Sequence, residues 1–190
     1  MMARAGLSEE RLVRAGADLA DEIGFDQVTV SALARRFDVK SASLYSHLNG
    51  SDDLRTKIAL LALTELADRA ADALAGRSGR DALLAFANAY RDYAREHPGR
   101  FAAAQLRLDP EAAASSDGRR HSEMMRAILR GYRLDGAEQT HAVRLIGSVL
   151  GGFVRLEAAG GFDHSAPESQ DSWVWTLDAL DTLLQSRSDH

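Results

Sequence analysis

Six hydrogen-bonding side chains fall within a stretch of eight residues: Lys40, Ser41, Ser43, Tyr45, Ser46 and His47. Their ammonium, hydroxyl and imidazole groups bond phosphate oxygens, which positions a protein on a duplex, and base edges, which reads the sequence. Small side chains at the start of the stretch let its backbone approach a groove closely. The set therefore predicts contacts with DNA rather than catalysis.

The elements that must position these side chains are two short helices joined by a tight turn. Val30, Leu33 and Phe37 recur at the spacing of one buried helical face, while Val39 and Leu44 can cover the same small core. The first helix is expected over residues 30–37 and the second over about 42–48. Such a pair is a helix-turn-helix, whose second helix can enter the major groove of DNA.

The predicted DNA contacts extend beyond the second helix. A threonine at a helix N-terminus is a natural phosphate site, and a lysine on the following helix adds positive charge. The predicted set is Thr29, Lys40, Ser41, Ala42, Ser43, Tyr45, His47 and Lys57. Tyr45 and His47 have an alternative interpretation as ordinary surface residues, and Ser41 has one as a simple helix cap.

The charges of the chain give one argument against DNA binding and one in favour of it. A net charge of −5 argues against a DNA-binding protein, because such proteins usually carry a basic surface. Residues 35–57 nevertheless hold five cations against three acids, and both lysines of the chain lie there. A local basic rim of this kind suffices for phosphate contacts.

The bulk composition indicates a globular protein of the cytoplasm. At 190 residues, with 45% hydrophobic side chains, the chain can bury a sizeable core. It has no cysteine, which excludes disulfides and fits a reducing compartment. The longest apolar run, residues 145–154, is too short to span a bilayer, and no export leader opens the sequence. We therefore expect no membrane partner.

Helical periodicity and capping signals run through the chain, and no segment shows sustained period-two alternation. The predicted fold is all-α, with about nine helices. An N-terminal three-helix helix-turn-helix domain is expected over residues 1–54, and a C-terminal helical bundle over residues 55–190. The predicted helices cover residues 9–23, 30–37, 42–48, 51–76, 81–96, 98–106, 117–131, 135–159 and 166–186.

Two segments resemble one known family. Residues 41–48, SASLYSHL, followed by Asp52, Asp53 and Leu54, resemble the DNA-binding domain of the TetR family of bacterial transcriptional repressors. Residues 151–162, GGFVRLEAAGGF, resemble the C-terminal domain of one TetR subgroup, the WHG domain. The resemblance implies a homodimer that binds a palindromic DNA operator and is released by a small-molecule effector. It also implies that residues 55–190 serve ligand binding and dimerisation.

Two positions depart from the family pattern. Asp38 stands in the turn where members often have glycine, and aspartate adopts the left-handed conformation at modest cost. Ser51 replaces a lysine that many members carry just before the fourth helix, which removes one phosphate contact. DNA binding is therefore expected to be weaker, or to depend more on Arg4 and Lys57.

Two C-terminal helices carry the pattern of an interface. Glycine in a helix interior is costly, so Gly147 and Gly151 suggest that another helix approaches closely. The final helix is apolar on more than one side, as expected where a helix meets both its own core and a partner. The predicted dimer interface is Gly147, Leu150, Gly151, Val154, Trp173, Leu177, Leu180 and Leu184. The alternative is that both helices close a monomeric core.

Aromatic and methionine side chains of the second half form a candidate ligand pocket, because such side chains line adaptable apolar sites. The predicted lining is Phe86, Tyr90, Phe101, Leu106, Met124, Met125, Ile128 and Phe153. A stripe of this kind also makes plain core, and only the family resemblance implies an effector site.

An enzyme is the first rival interpretation, and a protein-binding helical adaptor is the second. The histidines are scattered, and the sequence has no zinc-protease pattern, phosphate-binding loop, dinucleotide fingerprint or nucleophile elbow. We therefore expect no catalytic residue, no metal and no cofactor. Salt-dependent binding to a palindromic duplex distinguishes a regulator from both rivals.

Overall fold

The computed structural model of the chain describes residues 7–134 and 136–187, whose regular structure is entirely helical. Within these residues the nine α-helices are α1 Glu9–Ile23, α2 Val30–Arg36, α3 Ser51–Leu74, α4 Gly79–Glu96, α5 Pro98–Ala104, α6 Pro110–Ser115, α7 Gly118–Leu129, α8 Gly136–Ala158 and α9 Ser169–Arg187. Three short 3-10 helices occupy Phe25–Gln27, Ser41–Ser43 and Arg130–Tyr132. The all-α fold class is confirmed. None of the described helices is both long and apolar enough to cross a lipid bilayer.

Some elements differ from the sequence prediction. The α-helix expected over residues 42–48 is a short 3-10 helix followed by a turn, and α6 was not expected. The start of α6 does carry sequence signals, because Pro110 occupies its first turn and the Asp109 carboxylate accepts from the Ala112 N–H at 2.8 Å. Arg4 and the expected helix start at Asp135 lie outside the described residues.

The first helix begins and ends as its capping residues dictate. The Ser8 hydroxyl accepts a hydrogen bond from the Arg11 N–H at 3.3 Å, and two glutamates occupy the positive end of the helix dipole. Gly24 ends the helix with a φ of 89°, and its N–H donates to the Ala20 carbonyl at 2.9 Å. A side chain at this φ would be strained, so glycine is the natural terminator.

The first of two compact units contains the described residues up to Glu65 together with Glu96–Asp117. Gly16 lets α1 approach α3 closely, since a Cβ there would lie 2.8 Å from the Ile58 Cδ1 atom. Ala103 of α5 is fully buried in the same core. The shared core is formed by Leu12, Val13, Ala17, Ala20, Phe25, Val28, Val30, Leu33, Ala34, Leu44, Leu48, Leu54, Ile58, Ala62 and Ala103.

Helix α5 contacts α1 at backbone distance. A Cβ on Gly99 would lie 2.0 Å from the carbonyl carbon of Ala20, so that only glycine fits. The Asp21 carboxylate accepts a hydrogen bond from the Arg100 N–H at 2.9 Å and thereby caps the N-terminus of α5. The Arg100 guanidinium also pairs with Asp18. These contacts fix α5 to the N-terminal helices.

The second unit contains Leu66–Arg95 and the described residues from Gly118 onward. Its core combines side chains of α4, α7, α8 and α9, and the largest fully buried one is Trp173, which is 1% exposed. A buried hydrogen bond of 2.6 Å from the Tyr132 hydroxyl to Asp181 joins the third 3-10 helix to α9.

The two compact units differ from the boundary expected at residue 54. Helix α3 contributes residues to both units, and the segment Glu96–Asp117 is grouped with the N-terminal helices. Local sequence patterns do not reveal that Ala103 of α5 packs into a core whose other residues lie more than forty positions earlier in the sequence. The functional division into a DNA-binding part, residues 1–54, and a ligand-binding part, residues 55–190, stays a prediction.

Candidate nucleic-acid interface

The turn of the helix-turn-helix has the hydrogen bonds of a Schellman C-cap. Asp38 adopts a left-handed φ of 52°, and its N–H donates to the Arg35 carbonyl at 3.2 Å. The Val39 N–H donates to the Ala34 carbonyl at 3.1 Å, which closes the second ring of the motif. The structure therefore has Asp38 in the left-handed conformation that the sequence predicts for it.

The recognition segment, residues 40–48, is anchored by two buried leucines. Leu44 is 0% and Leu48 is 1% exposed. The Ser46 hydroxyl donates to the Ser43 carbonyl at 3.1 Å, and the His47 N–H donates to the Leu44 carbonyl at 3.0 Å. A continuing α-helix would pair the His47 N–H with the Ser43 carbonyl instead. Residues 44–47 therefore form a turn in place of the expected helix over 42–48.

The polar side chains of the recognition segment face solvent. Tyr45 is 57% exposed, whereas the leucines on either side of it are buried. Of the other predicted contacts in the segment, Lys40, Ala42 and Ser43 are exposed, and Ser41 and His47 are half-buried. The segment thus brings its hydroxyl, phenol and ammonium donors together on an accessible surface.

Two hydroxyl groups hold the N-terminus of α2. Thr29 Oγ1 accepts from the Ala32 N–H at 3.0 Å, and Ser51 Oγ accepts from the Val30 N–H at 3.1 Å. Thr29 is half-buried, and its hydroxyl keeps a proton that can be donated to a phosphate oxygen. Ser51 has a structural role at the position where the family pattern has a lysine.

Two of the arginines near the turn are held by groups of the first unit. Arg36 Nη1 lies 2.6 Å from the Glu22 carboxylate. Arg55 Nε donates to the Val28 carbonyl at 3.2 Å, which ties α3 to the residues before α2. Both side chains therefore stabilise the fold, and their charges are partly satisfied within it.

Lys57, a predicted DNA contact, bridges two acidic side chains. Its Nζ atom lies 2.9 Å from Glu9 and 3.0 Å from Asp53. Burial lowers the pKa of Lys57, but the hydrogen bonds to both carboxylates outweigh it and the pKa is raised. The ammonium stays charged, yet two carboxylates offset its field at a phosphate.

Arg35 and Lys40 are the cations of this region that the structure leaves available for phosphate. Both are exposed, and within residues 7–134 and 136–187 their side chains make no hydrogen bond or ion pair. Sequence reasoning counted Arg35 among the local cations but did not include it in the predicted contact set. Its place in the last turn of α2, before the turn, was the available signal.

Comparisons with known proteins identify the family of the chain. Residues 83–180 match the family model described as the tetracyclin repressor-like C-terminal domain. The chain is 37% identical over 167 residues to the HTH-type transcriptional regulator YobS of Bacillus subtilis, covering 86% of each protein. It is 36% identical over 163 residues to the HTH-type transcriptional regulator Rv0681 of Mycobacterium tuberculosis, covering 84% of this chain and 74% of that protein. The chain belongs to the TetR family of transcriptional regulators.

A solved TetR structure has the same fold. The TetR variant from Acinetobacter baumannii in complex with minocycline aligns with a TM-score of 0.70 over 95% of this chain and 98% of that one, at 21% identity. This likeness supports the all-α TetR fold, and the regulators with higher identity support a DNA-binding function. The subgroup resemblance of residues 151–162 stays a prediction.

The eight predicted pocket residues of this TetR-family chain are distributed over both units. Phe101 and Leu106 belong to the first unit, and the other six belong to the second. Phe86 and Ile128 are members of the second unit's buried core, and the methionines and Phe153 pack against it. A groove of about 310 Å³ between α8 and α9 is lined instead by Leu134, Glu138, His141, Ala142, Leu145, Leu183, Leu184 and Arg187. Ligand binding by the eight predicted residues stays a prediction.

Most of the predicted dimer-interface residues lie inside the single TetR-family chain. Leu150, Val154, Trp173, Leu177, Leu180 and Leu184 are each at most 5% exposed. A stripe of large apolar residues on two adjacent helices can pack against either the chain's own core or a second copy of the chain. Here these residues are buried within their own chain. Gly147 is exposed and Gly151 is half-buried, and a Cβ on either glycine would meet nothing within 4 Å. The large apolar side chains of α9 that are exposed are Val174, Trp175 and Leu183.

Proposed function

We propose that the chain is a homodimeric repressor that binds a palindromic operator through its recognition segment and is released by a small-molecule effector. The observation that carries the proposal is the geometry of that segment. Two buried leucines fix its backbone, while Lys40, Ser43 and Tyr45 face solvent. A segment anchored in this way can enter a major groove without any part of the core being exposed.

The solvent-facing side chains divide between base edges and phosphates in this proposal. Ser43 reads base edges, because its hydroxyl can donate or accept. Lys40 and Arg35 bind phosphate oxygens, and neither must first break an ion pair to do so. Tyr45 and His47 fix the register of the segment in the groove.

The remaining predicted contacts play smaller parts. Thr29 can donate its hydroxyl proton to a phosphate while it continues to cap α2. Lys57 contributes less than an unpaired lysine, because Glu9 and Asp53 lie within 3.0 Å of its ammonium nitrogen. The loss of the family lysine at Ser51 is therefore offset by Arg35 and Lys40 rather than by Lys57.

A homodimer is part of the proposal because a palindromic site needs two recognition segments roughly 34 Å apart. Helix α9 offers an apolar surface for a second copy: Trp175 is 73% and Leu183 is 41% exposed, and both line the same groove. Large apolar side chains exposed together often mark an interaction site. The open surface at Gly147 and Gly151 of α8 lets another helix approach closely.

Release by an effector completes the proposal. The similar TetR structure was solved in complex with minocycline, which supports a small-molecule effector for this chain as well. Helix α3 contributes residues to both units, so a ligand that changes its position can alter the spacing of two recognition segments. Only a ligand that prefers the non-binding arrangement can shift this equilibrium.

The test begins with selection of genomic DNA fragments that the purified chain binds, which defines the operator. Fluorescence anisotropy on a duplex with that sequence then measures the dissociation constant at several salt concentrations. We expect two chains per duplex and a log–log salt slope of about −0.9 for each phosphate neutralised. The control is the same duplex with one half-site scrambled. Equal affinity for both duplexes, or affinity independent of salt, would leave a protein-binding adaptor as the better interpretation.

A further inference from the structure

A buried arginine of the second unit is hydrogen-bonded to both C-terminal helices. Arg91 of α4 is 2% exposed. Its Nε and Nη2 atoms donate to the two carboxylate oxygens of Glu157 on α8, at 3.0 and 2.5 Å. Its Nη1 atom donates to the side-chain oxygen of Gln170, in the first turn of α9, at 2.7 Å. One guanidinium therefore fixes α4, α8 and α9 relative to one another.

Two aromatic rings enclose the same guanidinium. Its central carbon lies 4.9 Å from the ring centroid of Trp173 and 5.5 Å from that of Phe153. The indole N–H of Trp173 donates to Asn88 of α4 at 2.8 Å. The rings attract the cation through their faces and keep water from the ion pair, which strengthens it.

Residues 151–162 of the sequence supply much of this network. Phe153 and Glu157 belong to that segment, and the Phe162 ring lies 4.8 Å from the Phe153 ring. The predicted ligand pocket includes Phe153 of this segment but not Glu157.

The network lies directly behind exposed apolar side chains. Trp173 is buried, whereas the next two residues, Val174 and Trp175, are 49% and 73% exposed. Glu157 is 13% exposed, and its neighbour Leu156 is 56% exposed. Each exposed side chain is thus a sequence neighbour of a residue in the network.

We infer that Arg91 and Glu157 are positioning residues for self-association: neither forms the contact surface, and together they fix the arrangement of α8 and α9 that a second copy binds. This inference rests on the proposed homodimer. A buried ion pair adds little stability compared with an apolar pair of similar volume. Bidentate pairing by arginine, in contrast, strongly constrains geometry, and lysine cannot reproduce it.

The experiment measures the dimer dissociation constant by sedimentation equilibrium and the thermal midpoint by circular dichroism. The variants are Arg91→Lys and the double variant Arg91→Met with Glu157→Met, which removes both charges and leaves none buried alone. The matched control is Arg95→Met, because Arg95 also bonds Glu157, at 2.9 Å, but is 48% exposed. We expect both Arg91 variants to weaken the dimer by about tenfold or more. The thermal midpoint of the double variant, at dilutions where it is monomeric, should stay within about 5 °C of the wild type, because apolar side chains of similar volume replace the ion pair. Arg95→Met should dimerise like the wild type.

The outcomes separate this inference from the proposed function. Weaker dimers in both variants, together with a preserved midpoint in the double variant, support it. A dimeric wild type whose Arg91 variants associate equally tightly overturns the positioning role alone. An equal loss in Arg95→Met also overturns it, because an exposed charge would then matter as much as the buried pair. A wild-type chain that is monomeric with and without operator DNA overturns the homodimer itself.

Discussion

The hydroxyl of Ser51 accepts a hydrogen bond from the N–H of Val30 at 3.1 Å, so the first residue of α3 caps the first residue of α2. The Thr29 hydroxyl accepts from the Ala32 N–H of the same helix end. Two backbone N–H groups at the start of α2 have no partner within the helix. One bonds the neighbouring Thr29 hydroxyl, and the other bonds the hydroxyl of Ser51, 21 residues further along the chain. Because α2 carries the turn and the recognition segment follows it, this contact helps to set the segment's position.

Replacing Ser51 by alanine should destabilise the protein by about 1 kcal/mol, as loss of a helix cap does. The measurement is urea unfolding followed by circular dichroism. Ser31→Ala is the control, because Ser31 is an exposed residue of the same helix. That change should be neutral or slightly stabilising. Equal free energies of unfolding for both variants would show that the Ser51 hydrogen bond contributes nothing.

Removal of Lys40 or Arg35 should weaken operator binding without changing stability. Each alanine variant loses one phosphate contact, so the salt slope should decrease in magnitude by about one unit per variant. Lys57→Ala is the informative comparison, because Glu9 and Asp53 already offset its charge. Its salt slope should change less, while its thermal midpoint should fall because α1 and α3 lose a bridge. A larger effect at Lys57 than at Lys40 would reverse the proposed assignment.

Gly99→Ala should unfold or strongly destabilise the first unit. The added Cβ would lie 2.0 Å from the backbone of Ala20, and neither backbone has a flexible end that can move away. The cost should reach or exceed the upper end of overpacking effects, about 3 kcal/mol. Gly147→Ala is the matched control, since its Cβ would meet nothing within 4 Å. That variant should gain about 0.5–1 kcal/mol of helix stability in a monomer. Thermal unfolding distinguishes the two, and a well-folded Gly99→Ala protein would contradict the close approach of α5 to α1.

The sequence predicts best those features that depend on neighbouring residues. The Thr29 cap and the left-handed turn at Asp38 involve contacts within five residues, and both occur as expected. The recognition segment was expected to be an α-helix because its apolar spacing fits one. It instead forms a 3-10 helix and a turn, with the His47 N–H bonded to the Leu44 carbonyl, and apolar spacing alone does not distinguish this from an α-helix.

Features that depend on distant residues could not be predicted. One of the two carboxylates that offset Lys57, that of Glu9, is 48 residues away and could not be paired with it from the sequence, whereas Asp53 lies four residues earlier on the same helix. The α5 residue Ala103 fills a core built by the N-terminal helices. Apolar stripes such as Leu177 to Leu184 show that a helix face is buried but not whether its own chain or a partner covers it. In this chain its own core covers that stripe.

Acid should remove a specific part of the stability of the second unit. Hydrogen bonds from Arg91 hold the pKa of Glu157 at about 2, below its ordinary value of 4.5, although burial acts in the opposite direction. A depressed pKa stabilises the folded state fully above the unfolded value, and the effect is lost as the pH falls from about 4.5 toward 2. The contribution is on the order of 3 kcal/mol.

Glu157→Gln tests this pH dependence. The wild type should be more stable than the variant at pH 6, and the difference should shrink as the pH is lowered through that window. Free energies of unfolding from urea titrations at successive pH values give the comparison. Glu123→Gln is the control, because Glu123 is 65% exposed and lies 3.7 Å from Arg119. A difference between wild type and Glu157→Gln that is constant from pH 6 to pH 2 would contradict the depressed pKa.

Trp175→Glu should convert a dimer into a monomer and weaken operator binding. The side chain is 73% exposed on α9, so its replacement leaves the fold of the single chain intact. In a dimer contact, however, a carboxylate would be buried without a partner at the position of a large aromatic anchor.

Sedimentation equilibrium should show a monomer at concentrations where the wild type is dimeric, with an unchanged far-ultraviolet spectrum. Operator affinity should fall by about a hundredfold or more, because one recognition segment must then bind alone. Ala127→Glu, which places the same charge at an exposed position of α7, should affect neither property. If Trp175→Glu still dimerises and binds the operator normally, the contact between the two copies must lie elsewhere than on this surface of α9.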